Sequence, residues 1–126
     1  LAFKEVSLSV AYHQPCHLRI QPQSDSSKAL LAAIPGVDLR DLNSACCGMA
    51  GSWGLMAKNY ALSRSIGTPM AERLNDSGAD FGVTDCPTCQ MQMEHLANPP
   101  VRHPVEIVAA ALQNPDSAVV DNIRGT

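Results

Sequence analysis

Five cysteines, spaced C-x29-C-C-x38-C-x-x-C from Cys16 through Cys46, Cys47 and Cys86 to Cys89, restrict this chain more than anything else in it. Two are neighbours and the count is odd in a chain of 126 residues, whereas secreted disulfide frameworks use even numbers in shorter chains. The cysteines are therefore expected to be ligands or redox groups in a reducing, cytoplasmic setting. A lone C-x-x-C brings two sulfurs within reach of one metal or of each other, as in zinc knuckles, thiol–disulfide sites and iron–sulfur sites. The adjacent pair narrows the choice. Neighbouring side chains point in different directions in regular structure, so Cys46 and Cys47 serve poorly as two corners of one tetrahedral zinc. Five soft thiolates also exceed the four of a closed zinc site. A cluster of several metals is expected, with zinc as the alternative, and the spacing leaves open which of Cys46 and Cys47 ligates.

Each cysteine group follows a segment of strand character. Ser7 to His13 alternates polar and apolar residues and stops at Pro15-Cys16; Val37, Leu39 and Leu42 form a short second strand running through Asn43-Ser44-Ala45 into the pair; Phe81 to Thr84 leads into Asp85-Cys86-Pro87-Thr88-Cys89. Helical spacing fills the gaps. Ser24 to Ser27 can cap a helix carrying Leu30, Leu31 and Ile34, which Pro35-Gly36 stops. A long helix is expected from about Gly51 through Trp53, Tyr60, Ser63, Met70 and Leu74, interrupted near Gly67 and Pro69. Pro87 opens another that runs to Leu96, and Pro104 to Leu112 reads as the last, after a candidate fourth strand at Val101-Arg102-His103. This alternation predicts an α/β domain: a small, mostly parallel sheet of about four strands with helices on both faces and the cysteines at the carboxyl ends of the strands.

Composition sets the outer limits. Apolar residues are 45% and charged residues 17%, a balance that supports one packed core rather than disorder. The net charge of −3 with scattered Lys and Arg argues against a nucleic-acid partner, and no apolar run approaches the ~20 residues that span a bilayer. In C-C-G-M-A-G-S-W-G, Gly48, Gly51 and Gly54 let the backbone approach a bulky group at a helix start, where exposed amides donate to sulfide or thiolate. His17, beside Cys16, is a candidate donor to a sulfur or a plain loop residue, and Arg19 a candidate to offset thiolate charge or a surface ion pair. His103-Pro104 reads as a helix cap or packing pair, with metal binding by His103 as the alternative, His13 and His95 as structural or exposed, and Trp53, Met56, Met91 and Met93 as core or interface.

These motifs carry a family resemblance. P-C-H-L-R-x-Q around Cys16, C-C-G-x-x-G-x-x-G from Cys46, T-D-C-x-x-C-x-x-Q ending at Gln92, and His103-Pro104 resemble the cysteine-rich "CCG" domain over about Ser7 to Leu112. That family includes a subunit of heterodisulfide reductase, the iron–sulfur subunits of anaerobic glycerol-3-phosphate dehydrogenase and glycolate oxidase, and the carboxyl-terminal parts of fused FAD-linked 2-hydroxyacid dehydrogenases. The resemblance implies a non-cubane 4Fe-4S cluster held by Cys16, Cys46, Cys47, Cys86 and Cys89, with Gly48, Gly51 and His17 beside it. It also implies FAD on a partner domain or subunit, and a quinone or disulfide as electron acceptor. Two motif copies are usual in the family and this chain has one, beginning at Leu1. Residues 1–126 are accordingly expected to be a single domain from the carboxyl-terminal part of a longer protein, one whose complex can sit peripherally at a membrane. Two other readings compete: a zinc-stabilised interaction domain, and thiol–disulfide chemistry through Cys86 and Cys89.

Overall fold

Parallel strands cannot be joined by a tight turn, so each pairing needs a crossover, and the chain places helix between its strands. The structure, a computed structural model, describes residues 7–19, 21–22, 25–42 and 46–112, the side chain of His17 excepted. The expected capping residue Ser24, the Asn43-Ser44-Ala45 link and the side chain of His17 thus lie outside the described residues. The elements are β1 (Leu8–His13), α1 (Cys16–Arg19), α2 (Ser26–Ala32), β2 (Val37–Asp41), two 3-10 turns (Trp53–Leu55 and Ala57–Asn59), α3 (Tyr60–Asp76), β3 (Phe81–Thr84), α4 (Pro87–Leu96), β4 (Val101–Arg102) and α5 (Pro104–Leu112).

The sheet order is β2-β1-β3-β4 and every pairing is parallel. Tyr12 is level with Asp41, and His13 with Thr84, so β1, β2 and β3 end at the same rim. Strand parity then divides the side chains between two cores. Leu8, Val10 and Tyr12 pack with Leu31, Ile34 and Ile107 under α2 and α5. Ala11 packs on the opposite face with Cys47, Met70, Leu74, Cys89 and Met93 under α3 and α4. Each fully buried Leu, Ile or Met contributes about 1.5–3 kcal/mol of burial free energy; Leu31, Ile34 and Ile107 do so on one face and Met70, Leu74 and Met93 on the other. The expected α/β sheet with helices on both faces is the fold observed.

Three local features depart from the sequence reading. Residues Cys16–Arg19 form a helical turn where a polar loop was expected. The long helix begins at Tyr60 rather than near Gly51, because Ala50 and Gly51 adopt left-handed backbone (φ 48° and 67°) and Met56 is extended. The three-residue spacing of Trp53 and Met56 belongs to the 3-10 turns, whose amides bond to nearby carbonyls, as Gly54 N–H does to Met49 O at 2.8 Å. Finally, α3 runs through Gly67 and Pro69 without interruption. Pro69 removes the amide that would bond to Ser65 O, but both residues are exposed, so that carbonyl is not buried unsatisfied.

Gly67 is kept for another reason: a Cβ there would collide with the carbonyl oxygen of Cys47 and sit 3.0 Å from Gln92 Nε2. Helix propensity alone predicts that Gly67→Ala stabilises α3 by ~1 kcal/mol. The packing predicts the opposite sign, a loss of about 1–3 kcal/mol from overpacking, read as a lower urea midpoint with unchanged slope.

Candidate metal centre

Cys16 lies three residues past the end of β1, Cys46 and Cys47 follow β2, and Cys86 caps α4 two residues past β3. Because the three strands end level, all five thiols gather at one end of the sheet. Cys47 and Cys89 are buried, with their sulfurs 3.1 Å apart. Cys89 also contacts Cys86, and Cys16 interacts with Cys46 and Cys47. A connected group of sulfurs thus runs from exposed Cys16, past half-buried Cys46, to the buried pair and out again to half-buried Cys86.

The loop bearing the adjacent pair is fixed by backbone contact with α3. Gly48 has φ +90°, and a Cβ on it would run into Ser63 O. Ser63 Oγ donates to Gly48 O at 2.7 Å, and Gln92 Nε2 of α4 donates to Ser63 O and Ser63 Oγ at 3.1 and 3.2 Å. Both side chains are buried, so this network satisfies polar groups that would otherwise cost free energy in the core. The C-x-x-C turn is held from the other face. Asp85 accepts hydrogen bonds from Tyr12 Oη at 2.9 Å and Ser27 Oγ at 2.6 Å. Burial, and then the Asp85 carboxylate, push the Tyr12 phenol well above its usual range, so it stays protonated and donating.

Proton sharing shapes the sulfurs. The Cys89 thiol donates to Cys47 Sγ; that bond lowers Cys47, helped by His13 and the Met49 amide and opposed by burial. Cys89 is raised by the same bond, and then by burial and its sulfur neighbours, so it retains the proton. Burial pushes Cys86 up, but Thr88 Oγ1 at 3.1 Å, the Cys89 and Thr88 amides and the Cys89 thiol outweigh it, and the net shift is downward. Cys16 is raised, first by burial and then by Cys46. Gly48 N–H donates to Cys46 Sγ at 3.3 Å, the amide–sulfur contact that the glycine motif led us to expect.

Not every expected participant joins the group. Gly51 is an exposed turn residue with nothing within 4 Å of its Cβ direction, and Gly54 packs on Ser63 Oγ and Met49 Sδ. Gly48 and Gly54 therefore serve the fit of loop to helix, and none of the three opens an α-helix, since α3 starts at Tyr60. His103 Nδ1 accepts from Val105 N–H at 3.0 Å, the capping role read for it, while exposed His95 bonds Tyr60 Oη at 2.8 Å. Met93 is core, but Met56 and Met91 are about half exposed.

Sequence reasoning missed His13. It is 1% exposed, and a ring nitrogen lies within 4.8 Å of both Cys47 and Cys89 sulfurs. Strand parity held the signal, because residues 11 and 13 share the face opposite Tyr12. Thr84 and Gln92 were visible only as the first and last letters of one motif. Thr84 Oγ1 is buried on the same face, level with His13, and has no hydrogen-bond partner among the described residues. Five soft sulfurs, an imidazole and an unsatisfied hydroxyl at one sheet end suit a thiophilic metal group larger than one ion.

The cysteine-rich domain family designated CCG matches residues 10–94. The chain is 41% identical over 112 residues to a subunit of the anaerobic glycerol-3-phosphate dehydrogenase of Escherichia coli (strain K12), covering 89% of this chain and 28% of that protein. It is 31% identical over 97 residues to a subunit of the fumarate reductase (CoM/CoB) of Methanothermobacter marburgensis, covering 75% of this chain and 19% of the relative. Over 96 residues it is 29% identical to a subunit of the dihydromethanophenazine:CoB–CoM heterodisulfide reductase of Methanosarcina acetivorans, with 71% and 23% covered. The chain thus spans a fifth to about a quarter of the length of these relatives. No solved structure matches it.

Exposure and charge predict different orders of thiol reactivity. In the reduced, metal-free chain at neutral pH, iodoacetamide should label half-buried Cys86 before exposed Cys16, since one thiolate is favoured and the other disfavoured. Raising the pH should close that gap, with Cys47 and Cys89 labelled last; peptide mass spectrometry over time reads the order.

Proposed function

This chain belongs to the CCG family of cysteine-rich domains, and from that membership we propose that it is an iron–sulfur electron-transfer module of a flavin-linked dehydrogenase or related oxidoreductase. Cys16, Cys46, Cys47, Cys86 and Cys89 would hold the cluster, a non-cubane 4Fe-4S group. When bound, such a cluster takes up and releases electrons singly at a potential its surroundings set. The observation that carries this reading is the gathering of the three cysteine groups at one rim of the sheet, with more sulfur than one closed zinc site uses. The relatives' names, each that of a dehydrogenase or reductase component, point the same way.

The chain's own residues would tune the centre rather than transform substrate. Gly48 N–H withdraws charge from the Cys46 sulfur, and burial keeps water from Cys47 and Cys89. Substrate oxidation would then lie on an FAD-bearing partner domain or subunit, with a quinone or disulfide as acceptor, and the 126 residues would be one CCG domain of a longer, cytoplasmic or peripherally membrane-associated protein. No helix among the described residues is long and apolar enough to cross a membrane. Leu55, Tyr60 and Met91 line an open groove with Met49 and Gln92 next to the loop of the pair, and exposed apolar surface of this kind suits a partner.

A structural zinc site is the second reading, favoured by the spacing of His13, Cys47 and Cys89 within 4.8 Å of one another. Anaerobic reconstitution with iron and sulfide separates the two. The proposal expects both elements in the protein with visible charge-transfer absorption, and Cys89→Ser should lower retained iron about tenfold or more. Stoichiometric zinc, colourless and undisplaced by iron, would establish the structural alternative instead.

A further inference from the structure

The pocket contains a side chain that the five-cysteine pattern leaves out. His13 closes β1 with its ring on the α3/α4 face, 1% exposed, and ring nitrogen, Cys47 Sγ and Cys89 Sγ all lie within 4.8 Å of one another. An imidazole buried among apolar side chains is costly unless its N–H has an acceptor. The soft acceptors within reach are the Cys47 and Cys89 sulfurs, and of the two it is Cys47 whose thiolate His13 favours.

Resting on the reading of this site as an iron–sulfur centre, we infer that His13 is a positioning residue of that centre, donating a hydrogen bond from its imidazole N–H to the sulfur of Cys47. The contact does two things. It fixes the Cys47 side chain against the end of β1, a rigid element, while the loop behind it is fixed to α3 by Gly48 and Ser63. It also withdraws negative charge from the sulfur, which favours the reduced, more negative form of any cluster bound there and raises its potential. Met49 N–H donates to the same sulfur, but a backbone donor is retained in any sequence. His13 is the part of this pair that a substitution can remove.

The test reconstitutes the full chain anaerobically with iron and sulfide as wild type, His13→Ala, His13→Asn and His13→Gln, the last two keeping an N–H at the reach of each ring nitrogen. Expected are a more negative midpoint potential in His13→Ala at equal iron content, and recovery toward wild type in at least one amide variant. An unchanged potential in His13→Ala overturns the inference. So does nitrogen hyperfine coupling of directly bound strength in 15N-histidine-labelled wild type, which would make His13 a ligand. Iron loss in His13→Ala supports the inference if an amide variant restores it and overturns it if neither does. If wild type takes up no iron, the iron–sulfur reading fails, and the contact is decided separately in the reduced, metal-free chain. There, Cys47→Ala should shift the His13 ring 15N–H resonance while Cys16→Ala leaves it in place; no shift with Cys47→Ala sinks the assignment.

Discussion

The hydrogen-bonded register of β1 against its two neighbours is the constraint from which the site follows. Parallel strands joined by crossovers all point the same way, so loops after their carboxyl ends must emerge at one rim. Here the alignment of Tyr12 with Asp41 and His13 with Thr84 makes those ends level, and short connections bring thiols distant in sequence together. A slip of one residue in β1 would exchange its faces, turning His13 toward α2 and α5 and Tyr12 toward the sulfurs. Tyr12 would then lose Asp85, and the buried phenol its acceptor. The register is thus enforced from both sides by groups that are costly to bury unsatisfied.

Register brings the loops near one another; two polar locks set their final geometry. On one face, Gln92 and Ser63 tie α4, α3 and the Gly48 backbone together, with glycines at 48 and 67 allowing backbone-to-backbone approach that any Cβ would block. On the other, Asp85 is clamped by Tyr12 and Ser27, so the turn holding Cys86 is anchored through the sheet to β1 and α2. The sulfurs therefore rest on supports that do not depend on a disulfide. Thiols held this way are pre-positioned for a group that needs several of them at once.

Much of this was legible because it is periodic or spaced. Alternation identified β1 and β2, proline and glycine marked the helix ends, and the recurrence of a cysteine group after each strand predicted convergence at the rim. What escaped is tertiary. Trp53 and Met56 have helical spacing, yet the left-handed turn at Ala50-Gly51 and the packing of Gly54 on Ser63 convert that stretch into 3-10 turns. Pro69 reads as a break, but its cost depends on which side of the helix meets water. Gln92 and Ser63 have no intrinsic signal, since a buried hydrogen bond across 29 residues is a property of the folded pair. His13 was the nearest miss: its strand was identified correctly, and carrying the alternation one residue further puts the ring on the cysteine side.

The sulfurs differ in access as well as in partners, and that asymmetry bears on how such a centre can work. Cys47 and Cys89 are about 5% exposed and held among core side chains, Cys46 and Cys86 are half-buried, and Cys16 is exposed on a single helical turn. A charge placed at the inner pair is felt at low dielectric and balanced by fixed donors, whereas one at Cys16 is screened by solvent. Under the proposed function, the inner sulfurs govern the potential and the Cys16 edge is where another redox group approaches closely. The donor set is thus graded from a dry interior to a wet rim.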